Sequence, residues 1–412
     1  VKTVNGTAGT FTGNVEDTVA NLLSSKSLTL TGVGTVTAKL KSDGSDKDLT
    51  GKVLHSKVDE IDLNGQAATL DASHLGKTLA TGGGTNYTIK DTSSEVAGLA
   101  KALVKGKAIN ITNATNTADL KTIGTTKESG AITYTKLTDS ATAIAGTLGN
   151  IKNGVTVTLN TAATGQELSD ISTKATGVTA TLVAANVTDT AAELKKFKNL
   201  LKGKTVKLKT GETASAEVYD EISTEAVKTV NGTAGTFTGN VEDTVANLVK
   251  AKVLTLTGVG TVTAKLQSDG SDKDLTATDL HSKVTVIDLN SQAAVLDADD
   301  LSKTITGTTY TVKDTAEKIA NLASSKFKGK TVQVTDRGKI SHIKTITDHA
   351  GSVTYKVKDE TTHLVGVNKA LIQGIDVEIS SATVSAANYN AILVEATKKA
   401  GGKVVGTVSD DI

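Results

Sequence analysis

The sequence predicts an elongated α/β repeat solenoid built from strand–short-helix units of about 25 residues each. Three observations carry this expectation. First, one box recurs: an alternating apolar run, an Asp, a helical pattern, a Gly, and a second alternating run. It runs Asp91 to Gly106, Asp139 to Gly154, Asp189 to Gly203, Asp314 to Gly329 and Asp359 to Gly374, at separations of 15, 15, 14, 15 and 15. Second, residues 1–22 return unchanged at 227–248. Third, the chain has no Pro, Cys, Met or Trp and only 6 Tyr and 4 Phe. Val, Leu, Ile and Ala must therefore fill the core, which suits many thin, similar layers better than one aromatic-rich globule. The alternative, tandem β-rich domains of the sandwich kind, leaves little room for repeated helices.

Each part of the box has a local reason. An Asp ahead of an apolar-periodic run reads as a helix N-cap, since its carboxylate accepts the orphan amides of the first turn. Asp314 followed by Glu317 has the spacing of a capping box. The Gly suits the left-handed residue that ends a helix. Between them the apolar residues keep helical spacing: Leu194, Phe197, Leu200 and Leu201 form a stripe that Lys195, Lys196 and Lys198 avoid. After each Gly, pairs such as Val206 and Leu208 alternate as in a half-buried strand. Helices of about three turns are therefore predicted over 92–105, 140–153, 190–202, 315–328 and 360–373, each followed by a strand.

The chain reads as two modules, 1–226 and an incomplete second copy at 227–412. The offset is 226 (227 minus 1), and 45 of residues 1–50 match 227–276. Cap-type Asp residues fall at 17, 91, 139, 189, 243, 314, 359 and 410, with weaker units between them at 42–54, 70–79, 113–123, 162–171 and 212–222. Nine units per module give about 25 residues each, hence about 16 layers and a rod of about 80 Å at a strand spacing of about 4.8 Å. The chain begins with Val1 and contains no Met, so the expectation is a processed protein or an internal piece of a longer one. Val1 coincides with a module start and Ile412 follows Asp410 closely, so the terminal layers are expected to be covered by more of the same chain, by a neighbouring subunit, or by solvent at a cost, and an open edge templates association.

Charge is balanced, with 45 Lys+Arg against 44 Asp+Glu and a net charge of +1, which gives no electrostatic reason to expect nucleic acid. Without Cys there are neither disulfides nor thiolate metal sites. No apolar run reaches the roughly 18–20 residues of a membrane span, and no signal peptide is visible.

The best metal candidate is the turn SDGSDKD at 42–48, repeated at 268–274. Asp43, Asp46 and Asp48, with Asp269, Asp272 and Asp274, offer the hard oxygens that calcium takes, although the spacing is not that of an EF-hand. The plainer reading is a solvated turn, for which Asp, Gly and Ser are ordinary residues. The six His are scattered, with only His55 and His281 in equivalent positions, and no HExxH occurs. Gly-Lys-Thr at 76–78, 203–205 and 329–331 lacks the earlier Gly of a phosphate loop and reads as a helix end followed by a strand. Tyr87, Tyr134, Tyr310 and Tyr355 each precede a cap-type Asp by four or five residues, as an aromatic binding patch or as strand residues. No catalytic site is expected and no organic cofactor is implied.

The segments DTAAEL (189–194), DTVANL (17–22 and 243–248) and DTAEKIANL (314–322) carry a resemblance. They are similar to the Asp-Thr-Ala-Ala-Asn-Leu repeats of large secreted and cell-surface bacterial proteins, adhesin-like and surface-layer-like chains among them. The resemblance implies an extracellular structural or adhesive role and carries over no catalytic residue. Relatives of this kind often bear calcium-binding glycine-aspartate nonapeptides, which this chain lacks. The expected function is a self-assembling segment of a surface layer, filament or adhesive stalk, with other copies of itself as partner. The alternative is an adhesin module recognising a cell-surface polysaccharide or a receptor.

Overall fold

The computed structural model describes residues 12–24, 30, 32–183, 186–230, 232–366 and 369–409. The expected cap at Asp410, the chain ends at Val1 and Ile412, and the first half of the repeated 22 residues lie outside them. The chain packs as two compact units. One holds the described residues up to Asp189, with 199–206 and 229–235; the other holds 190–198, 207–228 and 236 onward.

Both units are mixed α/β, with parallel sheets and short helices, and no sheet closes into a barrel among the described residues. In the first unit, Val15–Thr18, Val36–Lys39, Glu60–Asp62 and Thr78–Leu79 form one sheet in that order. Ala68–Leu70, Tyr87–Asp91, Ala108–Ile111 and Ile132–Thr133 form another. Paired residues in these two sheets are 18 to 23 apart in sequence, so each strand pairs with the one about one repeat away. The second unit repeats the scheme. Thr213–Ala214, Thr236–Thr244, Val259–Lys265, Val286–Asp288 and Thr304–Thr306 pair in parallel succession. So do Ala294–Leu296, Tyr310–Asp314, Thr331–Gly338, Ser352–Asp359, Val377–Ile379 and Val404–Val405. The antiparallel pair Thr229–Val230 with Thr233–Ala234 departs from this rule.

In-register pairing stacks like on like. Leu70, Ile89, Ile109 and Ile132 are partners in successive strands, and Leu296, Val312, Val332 and Val353 form a second such row. Burial alternates along strands such as Ala108–Ile111, where Ile109 and Ile111 are inside and Ala108 and Asn110 outside. The core is accordingly narrow and almost wholly aliphatic, as the composition implies.

The helical windows form, but not as single three-turn helices. Window 92–105 holds Ser93–Gly98 and Lys101–Val104, separated by Leu99 and Ala100 in extended backbone. Windows 140–153, 190–202 and 315–328 each hold a short α-helix and then a 3-10 turn: Ala141–Ala145 with Leu148–Asn150, Ala191–Lys196 with Lys198–Leu200, Ala316–Ala320 with Ser324–Lys326. The last window holds Thr361–Gly366 and Lys369–Leu371. A continuous 14-residue helix would run about 21 Å, well past a five-residue strand of about 17 Å, so the chain breaks to return. Gly106, Gly154, Gly203, Gly329 and Gly374 then turn it with φ of 69, 72, 72, 70 and 76°, the left-handed region the fixed spacing anticipates.

The long helices lie elsewhere, in segments the sequence marks only weakly. Gly165–Gly177 has 13 residues, a full capping box between Thr164 and Glu167, and Leu168, Ile171 and Ala175 inside. Ala216–Ala226 has 11 residues and buries Tyr219 and Ile222. Segment 42–54 makes turns and no helix.

The box Asp is not the N-cap. It ends the strand, and the next residue caps: Thr92, Ser140, Thr190 and Thr315 accept from the amides of Glu95, Ala143, Glu193 and Lys318. The Asp instead joins neighbouring repeats. Its Oδ2 accepts the first amide of the preceding helix: Ala72 to Asp91 at 2.8 Å, Thr117 to Asp139 at 3.0 Å, Gly165 to Asp189 at 2.9 Å. Ala216 to Asp243, Ala298 to Asp314 and Ile340 to Asp359 follow at 3.0, 3.1 and 2.8 Å. Asn113, Thr161, Asp336 and Ser381 serve Ser93, Ala141, Ala316 and Thr361 in the same way. An orphan helix amide is thus satisfied from outside its own repeat. Asp189→Ala should cost about 1–2 kcal/mol, read as faster hydrogen exchange at the start of Gly165–Gly177 and not as global unfolding.

Candidate functional site

The six aspartates of the candidate metal turns occupy two equivalent loops. Asp43 and Asp269 Oδ1 each accept the amide two residues on, from Ser45 and Ser271, at 2.9 Å. Asp48 and Asp274 do the same for Thr50 and Thr276, at 3.0 and 3.1 Å. Hydrogen bonds from these Ser and Thr residues hold all four carboxyls below the usual value. Asp46 and Asp272 turn inward, where Oδ1 accepts from the amides of Lys41 and Gln267 at 2.9 and 2.8 Å. Their Oδ2 atoms are buried without a protein hydrogen-bond partner. Among the described residues no group of three or more His, Cys, Asp or Glu side chains converges as metal ligands would.

The four equivalent tyrosines are tied inward. Each hydroxyl donates to the carbonyl 16 residues on: Tyr87 to Leu103 at 2.8 Å, Tyr310 to Lys326 at 2.7 Å, Tyr355 to Leu371 at 2.9 Å, and Tyr134 to Asn150. These carbonyls belong to the closing turn of each helical window. Burial pushes the Tyr134 phenol up to about 12 and raises the other three. Lys107, Lys152 and Lys330 lie 4.3, 5.4 and 4.4 Å from the centroids of Tyr87, Tyr134 and Tyr310. An ammonium group thus sits over each of these three rings, a cation–π contribution of about 0.5–1 kcal/mol apiece.

A third constellation escapes the sequence reading. In the second unit a cavity of about 350 Å³ is lined by Asp279, His281, Asp297, Asp299, Asp300 and Lys303 among others. Asp297 caps the short helix Ala298–Leu301 and forms a capping box with Asp300, whose amide it accepts at 2.8 Å. Asp300 is 3% exposed. Burial first, and the Asp297 carboxylate second, push its carboxyl up to about 7. Asp297 is also raised, by burial. His281 beside them accepts the Lys283 amide at Nδ1 (3.0 Å), leaving Nε2 to donate to the Leu254 carbonyl at 3.0 Å. In the first unit the matching residues are Asp71 and His74, with Nδ1 and Oδ1 2.5 Å apart. One copy therefore holds a complementary Asp–His pair where the other holds a buried acid beside a half-buried one. The signal was present in the sequence as DASHL at 71–75 against DADDL at 297–301. The corner can hold and release a proton near neutrality.

No described helix is long and apolar enough to cross a membrane. No family model, curated protein or solved structure matches the chain.

Proposed function

We propose that this protein is a structural repeat protein whose strand–helix repeats stack as a solenoid, and that it self-assembles outside the cell in a surface layer, filament or adhesive stalk. The observation that carries this reading is the recurring joint, in which at six places an Asp at the end of a strand supplies the acceptor for the first amide of the helix before it. A stack tied this way is directional and extendable, and each repeat contacts chiefly its neighbours. The resemblance of the DTVANL-type segments to repeats of secreted and surface proteins supports the location.

The binding-module alternative needs an exposed aromatic patch for a sugar. Tyr87 and Tyr134 are buried, and the hydroxyls of all four equivalent tyrosines are donated internally, which removes its main support. Sedimentation across a concentration series, followed by electron microscopy, tests the proposal. Concentration-dependent growth into ordered rods or sheets is expected. A protein that stays monomeric at high micromolar concentration overturns self-assembly and returns the binding module to first place.

A further inference from the structure

Residues 12–22 and 238–248 are identical in sequence, and so are Val36–Lys39 and 262–265. The structure builds them alike. Val15 pairs with Val36 and Asp17 with Ala38, just as Val241 pairs with Val262 and Asp243 with Ala264. Lys39 meets Glu16 at 3.1 Å, and Lys265 meets Glu242 at 3.1 Å. Asn14 Oδ1 accepts the Thr35 amide at 3.0 Å, and Asn240 Oδ1 accepts that of Thr261 at 2.9 Å. Asp17 Oδ1 accepts from the Thr18 amide and the Asn21 side chain, both at 2.7 Å; Asp243 Oδ1 accepts from Thr244 and Asn247 at 2.8 and 2.7 Å.

The two sites differ on their other side. The strand edge at Asn240 and Val241 is paired with Thr213 and Ala214. Asp243 Oδ2 accepts the first amide of the helix Ala216–Ala226, at 3.0 Å. Val241 is fully buried there. Among the described residues, the strand Val15–Thr18 is the edge of its sheet, Val15 is only half-buried, and Asp17 Oδ2 takes no helix amide.

We infer that the edge formed by Asn14, Val15 and Asp17 is a docking surface for one more repeat of the chemistry of residues 213–226. Its occupant offers two extended residues to pair with Asn14 and Val15, a Ser or Thr cap, and a helix whose first amide is donated to Asp17 Oδ2. The warrant is that the same residues, in the same local geometry, already hold such a repeat at 236–244. Edge backbone groups and a carboxylate poised for a helix N-terminus both gain by that pairing. The inference rests on reading the chain as stacked, interchangeable repeats and deepens that reading by naming the surface and its ligand.

The test uses the full chain with residues 190–226 duplicated ahead of Val1, the order in which they precede Val227. Hydrogen exchange is followed at concentrations where the protein is monomeric. The added helix is expected to become protected, and amides of Val15–Thr18 to exchange about tenfold more slowly or better. Asp17→Ala in the extended chain should return the first turn of the added helix to fast exchange while Asp243 still holds Ala216. Added residues that exchange like an unfolded peptide, with Val15–Thr18 unchanged, overturn the inference. Protection indifferent to Asp17→Ala overturns the joint it assigns. The readout is intramolecular, so a chain that fails to assemble yet protects the added repeat loses the proposed function and keeps this docking surface.

Discussion

Phe237→Ala lowers the stability of the second unit by about 3–5 kcal/mol, the usual cost of emptying a large aromatic site that cannot collapse. Phe237 is 2% exposed, and its ring centroid lies 4.6 Å from that of Tyr219 at an interplanar angle of 40°. The backbone beside it has no slack. A Cβ built on Gly258, which sits at φ +74°, would fall 2.3 Å from the Phe237 carbonyl oxygen. Urea unfolding read by hydrogen exchange within Thr236–Thr244 measures the effect. A loss below about 1 kcal/mol would show that the neighbouring layers close over the gap.

Asp300→His raises the stability of the same unit at pH 7.5 by on the order of 2–4 kcal/mol. Asp300 titrates at about 7 when folded, against an ordinary 3.8. Between those values the folded chain keeps a proton that the unfolded chain has released. Wild-type stability therefore falls as pH rises from about 4 to about 7 and levels off above. The substitution recreates the pairing of Asp71 with His74 and removes the like charge beside Asp297. Unfolding curves at pH 4.5 and pH 8 are the check. The wild type is expected to weaken at the higher pH and the variant to hold or gain. Parallel pH profiles for the two proteins would show that folded Asp300 does not keep a proton that the unfolded chain releases.

Short-range features of the fold were legible in the chain. The box glycines mark left-handed turns because only Gly takes that backbone without strain, and Gly106, Gly154, Gly203, Gly329 and Gly374 all do. Alternation in runs such as Ala108–Ile111 names the inward residues, because side chains point to opposite faces at period two. The common placement of Tyr87, Tyr134, Tyr310 and Tyr355, four or five residues ahead of an Asp, announced equivalent positions, whose hydroxyls reach equivalent carbonyls. The tertiary structure decided the rest. An Asp before a helix satisfies local capping rules, yet Asp91 and Asp139 leave the cap to Thr92 and Ser140 and reach helices that begin about 20 residues earlier. That choice depends on which strand lies alongside, which no window of local sequence contains. The length available between a strand's end and its return broke the predicted helices near Leu99 and Ala323. Burial turned an unremarked change, His74 in one copy and Asp300 in the other, into a proton-holding corner, because desolvation acts on a carboxyl only once the fold has closed over it.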